Sequence, residues 1–399
     1  MYAEIDLSEF PVIDAHCHSY LKTPKVLTGD EFARYASLAV QPNFLDNSSA
    51  IVERQVKTAH RRLSDIYRQQ PFLGQLVAFL SRFFDCQADL ETVTKNRSAR
   101  AEDFDNYVKE LFEDVRLRGL VMDGGYPTTT IEEMKRFPAS VVRIFRIEPF
   151  IDEVLSGASS FDEVCAMYES GICNAVKNEG YVGLKSIIAY RTGLKIRRVS
   201  WQDAGKDFDD AKSSHTETAW FGPRVKNLRD FLFVRAMELS TALGIPMQVH
   251  TGVGDYDILL DQCDPALLYD LLKDEKLRYA TVVLVHSGFP HCQVAAYITS
   301  VLPNVFLDLS LTIPFLNPLG HERLTEILEI APSSKIMYGS DAFNLPELIW
   351  LGAKVGKRTL GKCLSRFVQS ELFDENRAMR VGMQILFENA NELYGLGLD

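Results

Sequence analysis

Short apolar, β-rich runs alternate along the chain with stretches whose apolar residues recur every three or four positions. Runs of the first kind are typical of buried strands, and stretches of the second kind are typical of amphipathic helices. The clearest helical stretch is VKNLRDFLFVRAMELSTALG, which ends at Gly244. Eight β-rich runs occur, at residues 10–18, 119–125, 141–148, 181–190, 246–252, 280–288, 304–310 and 335–341. This alternation predicts an α/β fold with a parallel sheet, and eight strands are the number that a closed (β/α)8 TIM barrel requires.

Two intervals between predicted strands are longer than a simple connection needs. Residues 30–118 contain stretches of helical period after strand one, and we interpret them as a helical insertion on the catalytic end, serving as a lid or a dimer surface. Arg54 on this insertion is either a lid residue or an ordinary surface arginine. Residues 195–223 follow strand four, are polar and contain glycine breaks, so we expect an active-site loop, with a plain surface loop as the alternative. The whole chain, 1–399, is predicted to form one barrel domain.

Composition narrows the classes of partner. The 399 residues carry a net charge of −11 and no long Lys/Arg run, so we expect no nucleic-acid partner. No stretch has the length and apolarity of a membrane span, and the acidic N-terminus does not resemble a signal peptide. The seven cysteines include no C-x-x-C pair, which favours reduced thiols in the cytoplasm. We therefore expect a cytoplasmic protein that binds a small-molecule substrate and forms a homo-oligomer.

A pair of histidines ends the first predicted strand. His16 and His18 lie two residues apart in FPVIDAHCHSY, and side chains two apart in a strand share a face. By this parity Val12 and Asp14 lie on the same face as the two histidines, while Cys17 points the other way as a small buried hydrophobe. Buried imidazoles without partners are costly, and metal binding is the usual resolution. The pair alone is equally compatible with core histidines that have found hydrogen-bond partners.

Three further residues occupy equivalent places on other strands. His250 ends strand five in PMQVHTG, His286 ends strand six in VVLVHSG, and Asp341 ends strand eight in MYGSD. Because the carboxyl ends of parallel barrel strands meet at one rim, we expect these side chains to converge with the first two histidines. Imidazole nitrogens with one carboxylate suit Zn²⁺, Fe²⁺, Mn²⁺ or Ni²⁺ better than Ca²⁺ or Mg²⁺. The sequence therefore predicts a catalytic metal site at the mouth of the barrel.

This order of motifs resembles the amidohydrolase superfamily of metal-dependent hydrolases, over residues 10–350. The segments VGLKSIIAYRTGL, HTGVGD and HSGFP look like its amidohydrolase 2 branch. Within that branch the chain is similar to the N-terminal barrel domain of nodulin/glutamine-synthetase-like fusion proteins, and we expect a free-standing version of it. The resemblance implies a hydrolase that acts through a divalent metal, which we expect to be one Zn²⁺, with two metals as the alternative.

The resemblance also assigns roles. His16, His18 and His250 would hold the metal, with Asp341 as a further ligand that takes a proton from the attacking water and passes it to the leaving group. His286 would be either a ligand to a second metal or a hydrogen-bond donor to the substrate carbonyl. Lys185 lies on strand four, where binuclear members carry a carboxylated lysine. With a single metal it would instead be a substrate-binding cation or an ion-pair partner.

Other polar residues near strand ends are candidates for substrate binding. Arg146 ends strand three and could clamp a substrate carboxylate through two hydrogen bonds, although structural ion pairing is an equal alternative. Tyr190 and Arg191 follow strand four and are expected to line the pocket. Asp255 and Asp257, after strand five, would either receive a substrate amine or lie on a solvated loop.

Four functions follow from this reading. The leading one is hydrolysis of a C–N amide bond in a small polar substrate that carries a carboxylate, for example a γ-glutamyl-type amide. The second is metal-dependent non-oxidative decarboxylation, or hydration, of an unsaturated or aromatic acid, and the third is uronate-type isomerisation. The fourth is a barrel without activity that serves as a scaffold, which the five intact polar positions at the rim argue against.

Overall fold

All eight β-rich runs form strands in the computed structural model, which describes residues 4–21, 23–37, 53–125, 128–214, 222–316 and 319–399. The strands pair in parallel, in the order in which they occur along the chain. They are β1 (Val12–Cys17), β2 (Leu117–Asp123), β3 (Ser140–Arg146), β4 (Tyr181–Ser186), β5 (Met247–His250), β6 (Val282–Val285), β7 (Val305–Asp308) and β8 (Ile336–Met337). Most of their residues are buried, as expected for strands with helices outside and a core inside.

Backbone hydrogen bonds join β1 to the residues that directly follow β8. The Ala15 amide donates to the Tyr338 carbonyl at 3.0 Å, and the Asp341 amide donates to the His16 carbonyl at 2.7 Å. These bonds close the sheet, so the predicted (β/α)8 TIM barrel is confirmed. They also bring two of the predicted site residues, from opposite ends of the chain, next to each other.

Helices surround the barrel and none of those in the described residues is long and apolar enough to cross a membrane. They are α1 (Gly29–Ala36), α2 (Glu53–Gln69), α3 (Pro71–Phe84), α4 (Leu90–Arg100), α5 (Phe104–Asp114), α6 (Ile131–Met134), α7 (Ile147–Gly157), α8 (Phe161–Lys177), α9 (Trp201–Ser213), α10 (Lys226–Leu243), α11 (Tyr269–Leu272), α12 (Cys292–Val301), α13 (His321–Leu328), α14 (Pro346–Gln369), α15 (Glu375–Met383) and α16 (Asn389–Tyr394).

The hydrophobic core has an outer and an inner part. The outer part fills the space between the strands and the helices, and the inner part fills the barrel. C-terminal residues complete the inner part, because Phe387, Ala390 and Tyr394 pack against the inward side chains of the strands. The Tyr394 hydroxyl accepts a hydrogen bond of 2.7 Å from the Gln248 amide inside the barrel. This end of the barrel is therefore filled, which leaves the opposite mouth for a ligand.

The first strand departs from a regular alternation. Its pairing with β2 shifts register between Asp14 and Cys17. Ile13 and Ala15 pack in the inner core, whereas Val12 and Cys17 pack in the outer core. The prediction that Val12 shares the face of His16 is therefore wrong, because the irregularity changes the parity partway along the strand.

The described part of the predicted insertion, 30–118, consists of the helices α1 to α5. A buried ion pair ties it to α14, since the Arg97 Nε donates to Glu347 Oε1 at 2.7 Å and the Tyr107 hydroxyl donates to the same oxygen at 2.9 Å. The side chain of Arg54 lies outside the described residues. A role of the insertion as a dimer surface stays a prediction.

The segment 195–223 differs from the expected loop. Its residues 201–213 form α9. Ser200 caps the N-terminus of this helix, which packs Ala204, Phe208 and Ala211 into the outer core. These apolar residues follow a helical spacing that the polar composition of the segment obscures. None of the described residues of this segment lines the pocket at the barrel mouth, and residues 215–221 lie outside the described residues.

Candidate metal centre

Four of the predicted site residues converge on one point at the carboxyl ends of the strands. The Nε2 atoms of His16 and His18 both lie 3.3 Å from Asp341 Oδ1, and His286 Nδ1 lies 4.0 Å from Asp341 Oδ2. One ligand atom each from His16, His286 and Asp341 can be chosen so that all three lie within 4.8 Å of one another. The rim expected from the strand ends is therefore present in the structure.

His250 and Lys185 complete the group. The His250 ring lies 4.5 Å from the His286 ring, centroid to centroid, and its buried Nε2 atom has no hydrogen-bond partner among the described residues. Lys185 is buried to 1% exposure, and its Nζ atom lies 3.1 Å from His16 Nε2. Lys185 therefore faces the histidines.

Burial sets the protonation states of these groups. It lowers the pKa of His16 to about 4, and it holds the pKa values of His250 and His286 well below the ordinary value. Burial also lowers the pKa of Lys185 to about 8, although Asp123 and Asp341 act in the opposite direction. For Asp341, burial would raise the pKa, but the surrounding imidazoles hold it well below its usual range. The centre thus offers neutral imidazoles and an ionised carboxylate, which are the forms that bind metals.

An aspartate at the end of β2 orients two of the site residues. His18 Nδ1 lies 3.2 Å from the Asp123 carbonyl oxygen, and since a carbonyl only accepts, Nδ1 carries the hydrogen of this bond and Nε2 faces Asp341 Oδ1 as a potential metal-binding nitrogen. The Asp123 carboxylate Oδ2 accepts hydrogen bonds of 2.8 and 2.6 Å from Nε and Nη2 of Arg146. Burial opposes ionisation of Asp123, yet the Arg146 guanidinium holds its pKa well below the usual range.

The backbone is strained where the last three strands end. His286, Ser287, Leu311, Asp341 and Asn344 all have positive φ angles, between 53° and 68°. Non-glycine residues rarely adopt this region, and each instance costs of order 1–3 kcal/mol unless the surroundings enforce it. Strain of this kind collects at functional sites, and here it lies in the loops that carry His286 and Asp341.

The metal centre opens into a cavity of about 580 Å³. This volume is within the range of small-molecule sites. Charged side chains at its wall are Arg34, Arg146, Arg191, Asp255 and Asp257. The Tyr190 ring lies 4.6 Å from the His250 ring, and its hydroxyl accepts a hydrogen bond of 3.1 Å from the Asp255 amide. The pocket is therefore lined by Tyr190, Arg191 and Arg146. Arg146 is in addition paired with Asp123.

The donor set fits a transition metal. Zn²⁺ binds imidazole nitrogen and carboxylate oxygen at about 2.0–2.2 Å, so ligand atoms in a tetrahedral site lie about 3.3 Å apart. The two His–Asp341 distances of 3.3 Å have this value. His250 adds a buried nitrogen that lacks any other described partner. These residues fit a divalent metal with nitrogen and oxygen ligands.

The sequence reasoning missed several residues that belong to the site. Asp123 ends β2 and is followed by glycine, the same pattern that identified His250, so a signal for it was present. Arg34 and Tyr35 reach the cavity from α1 in the insertion, which no local pattern could indicate. Asp308 and Ser310 contact the His286 backbone and ring from the end of β7, where the short sequence DLS gives little indication of a role.

Known proteins resemble this chain in sequence and in fold. The model of the family described as amidohydrolase matches residues 214–396. Protein fluG of Emericella nidulans is 30% identical over 341 residues, which are 77% of this chain and 39% of that protein. The chain thus spans about two fifths of the length of this curated relative. A match to one part of a longer protein agrees with the expected similarity to a domain of fusion proteins.

Solved structures share the fold. A protein of Lactobacillus casei described as a metal-dependent hydrolase superposes with a TM-score of 0.81 at 24% identity, over 99% of both chains. An uronate isomerase of Thermotoga maritima has a TM-score of 0.61 at 12% identity, over 97% of this chain and 95% of its own. A glucuronate isomerase of Caulobacter crescentus has a TM-score of 0.58 at 14% identity, over 98% of this chain and 92% of its own. At these identities the likeness establishes the barrel fold alone.

Proposed function

We propose that this chain, of which residues 214–396 match the amidohydrolase family model, hydrolyses a C–N amide bond in a small polar substrate that carries a carboxylate. The observation that carries the proposal is the convergence of His16 and His18 on one oxygen of Asp341, at 3.3 Å each, beside an open cavity. Such a cluster of imidazoles with an ionised carboxylate supplies the ligands that metal-assisted hydrolysis uses.

We propose that His16, His18 and His250 hold one divalent metal, most simply Zn²⁺, together with Asp341. When bound, a metal of this kind lowers the pKa of a coordinated water to about 7 and polarises a carbonyl group. Lys185 would stay unmodified, because its Nζ already lies 3.1 Å from His16 Nε2 and makes this contact directly.

The carboxylate of Asp341 would carry the proton from the attacking water to the leaving nitrogen. Asp341 is ionised, lies at the wall of the cavity and is 18% exposed through its side chain, so it can accept a proton from an attacking water. It then delivers this proton to the leaving nitrogen, which departs as an amine or as ammonia. Both transfers use one group within reach of the cavity, and general acid–base catalysis of this kind is worth about 10²–10⁴ in rate.

The remaining wall of the cavity would bind the substrate. Arg191 and Tyr190 lie at its edge after β4, and Arg146 keeps its Nη1 group free of any hydrogen bond to a described residue. We propose that these donors receive the substrate carboxylate and hold the amide against Asp341. Asp255 and Asp257, on the same wall, would exclude a second anionic group and favour a substrate with an amine nearby.

Three measurements test this function. Metal analysis of the purified protein should give about one equivalent, and carbon-13 spectra recorded with labelled bicarbonate should show no lysine carbamate. A library of carboxylate-bearing amides, with γ-glutamyl amides among them, is then assayed for release of ammonia or amine, beside unsaturated and aromatic acids assayed for loss of CO₂. Amide turnover that depends on the metal is the expected result. Loss of CO₂ without any amide turnover, or a protein that is fully active without metal, would overturn the proposal.

A further inference from the structure

The backbone of His286 is held from two sides by the segment after β7. Its amide donates to Asp308 Oδ1 at 3.3 Å, and its carbonyl accepts a hydrogen bond of 2.6 Å from the Thr312 hydroxyl. The next residue, Ser287, donates from its hydroxyl to the Asp308 carbonyl at 2.9 Å. These bonds hold His286 at its positive φ angle of 68° and therefore fix the direction in which the ring leaves the backbone.

The ring of His286 is held by a serine that is itself bound to Asp308. His286 Nδ1 lies 2.9 Å from Ser310 Oγ, and Ser310 Oγ contacts Asp308 Oδ1 closely. The Ser310 amide also donates to Asp308 Oδ1, at 3.1 Å. Asp308 and Ser310 are fully buried and His286 is 2% exposed. The three side chains thus form one chain of contacts that excludes solvent.

The hydrogen bonds that join His286, Ser310 and Asp308 can have only one donor-to-acceptor direction. Asp308 Oδ1 already accepts two backbone amide hydrogens, so a proton on this carboxyl group would lie on Oδ2 instead. The single hydrogen of the Ser310 hydroxyl is therefore donated to Oδ1, whether or not Asp308 is ionised. Ser310 Oγ is left as an acceptor, and the only group that faces it from the ring is Nδ1 of His286.

We propose that Asp308 and Ser310 are positioning residues that fix His286 with its hydrogen on Nδ1, so that Nε2 presents a lone pair to the cavity. His286 lines that cavity; its Nδ1 atom, 4.0 Å from Asp341 Oδ2, is hydrogen-bonded to Ser310, so Nε2 is the ring nitrogen left without a hydrogen bond to a described residue. In this form Nε2 of His286 can serve as a further metal ligand beside the four proposed above, and it cannot donate a hydrogen bond to a substrate carbonyl. Its role in catalysis rests on the function proposed above, whereas the position of its hydrogen does not.

The protein contains a matched control for the contacts that join Asp308, Ser310 and His286, which we call the relay. Asp14 and Ser340 form a second buried aspartate–serine pair, in which Asp14 Oδ1 accepts from the His16 amide at 3.2 Å and from the Ser340 amide at 2.8 Å. The Ser340 hydroxyl donates to Asp14 Oδ2, accepts from the Ala342 amide at 2.9 Å and makes no hydrogen bond to a histidine ring of the described residues. Removing the Ser340 hydroxyl should therefore perturb a similar buried pair without changing the position of the hydrogen on His286.

The test is a nuclear magnetic resonance measurement on the metal-free protein at pH 8. Long-range proton–nitrogen correlations of nitrogen-15-labelled histidine report which ring nitrogen carries the hydrogen, and the His286→Gln variant assigns the signal. We expect the hydrogen on Nδ1 in the unaltered protein and in Ser340→Ala, and a shift towards the Nε2-protonated form in Ser310→Ala. Ser310→Thr, which keeps the hydroxyl, should restore the original form. A His286 with its hydrogen on Nε2 in the unaltered protein would overturn the inference, whatever the variants do.

Metal affinity gives a second readout. Loss of a group that orients a metal ligand typically weakens metal binding by about 10–100-fold. We expect a loss of this size for Ser310→Ala, close to none for Ser310→Thr, and a smaller loss for Ser340→Ala. Equal losses in the two alanine variants would overturn the relay, since they would report buried packing alone. A protein with the expected hydrogen on Nδ1 that cleaves no amide would overturn the proposed function and leave the relay in place.

Discussion

Two groups of buried polar side chains can be compared in this molecule. The metal-centre cluster consists of His16, His18, Lys185, His250, His286 and Asp341 at the mouth of the barrel. The insertion cluster consists of Arg97, Tyr107 and Glu347, and it joins the helical insertion to α14. Both are almost fully buried, and both contain charged groups that come from distant parts of the sequence.

The two clusters differ in how their groups are satisfied. In the insertion cluster opposite charges pair directly and Arg97 also donates to the Pro24 and Lys25 carbonyls, although Arg97 Nη2 and Glu347 Oε2 have no partner among the described residues. In the metal-centre cluster, basic groups face one another, the His250 Nε2 atom has no described partner, and a cavity opens at the same point. Burial and charge therefore do not distinguish a functional cluster from a structural one. The distinguishing feature is that unpaired donors and acceptors converge on an open space.

The largest expected effect is on the activity of the metal-centre cluster. Asp341→Asn removes the proton acceptor and a ligand, so kcat/KM for the amide substrate should fall by about 10²–10⁴. The free energy of unfolding of the metal-free protein should fall as well, because the imidazoles that hold the pKa of Asp341 low favour its ionised form in the folded state. Asp209→Asn, exposed on α9 and away from the cavity, is the control and should change kcat/KM by only a few fold. Turnover of Asp341→Asn within a few fold of the unaltered protein would contradict the proposed proton transfer.

The insertion cluster should respond in the opposite way. Glu347→Gln leaves Arg97 charged and buried without its partner, so the free energy of unfolding should fall by about 3–5 kcal/mol, measured by urea denaturation. Below the unfolding transition kcat should stay within a few fold of its original value. The double replacement Arg97→Met with Glu347→Leu should recover most of the stability, since it leaves no unpaired charge. A folded Glu347→Gln protein without activity would show that the two clusters are not separate in function.

The difference between the clusters also explains how far the sequence could predict the molecule. The strands were predictable because each is a short apolar run, and His16, His250, His286 and Asp341 were predictable because each follows such a run. Their convergence then follows from barrel topology. The shared oxygen of Asp341 could not be predicted, since it depends on a backbone φ of 61° and on the hydrogen bond from its amide to His16.

Partners that are distant in sequence were not predictable. Arg97 and Glu347 lie 250 residues apart, and each resembles an ordinary charged residue of an amphipathic helix. Ser310 also has no local signal, because its role depends on the approach of β6 to the segment after β7. The helix α9 was missed for a different reason, since only three apolar residues carry its buried face. Sequence patterns thus reveal which strand ends hold reactive groups, and they leave out the side chains that orient those groups.

Removal of the metal should affect only one of the two clusters. A metal that binds the folded protein alone stabilises it by about 2.7 kcal/mol when its free concentration is one hundred times its Kd. Dialysis against a chelator should therefore lower the unfolding temperature of the unaltered protein, and added Zn²⁺ should restore it. The Glu347→Gln variant should keep the same metal-dependent increment, whereas Asp341→Asn should lose most of it. An unfolding temperature that does not change on chelation would contradict the proposed metal centre.

The smallest expected effect is the pH dependence of the metal-free protein. Burial lowers the pKa of His16 from 6.5 to about 4, with Lys185 acting in the same direction. Between these pH values the unfolded chain binds a proton that the folded protein does not, so stability falls as the pH decreases through this window. One such group contributes at most about 1.4 kcal/mol for each pH unit. Urea denaturation at several pH values should show a shallower slope for His16→Gln and an unchanged slope for His291→Gln, whose ring is half-exposed beside Asp264. Because His250 and His286 are buried in the same cluster, the stability of His16→Gln should still depend on pH to some extent. If the stability of the unaltered protein did not change with pH in this window, the fold would not be holding the imidazoles neutral.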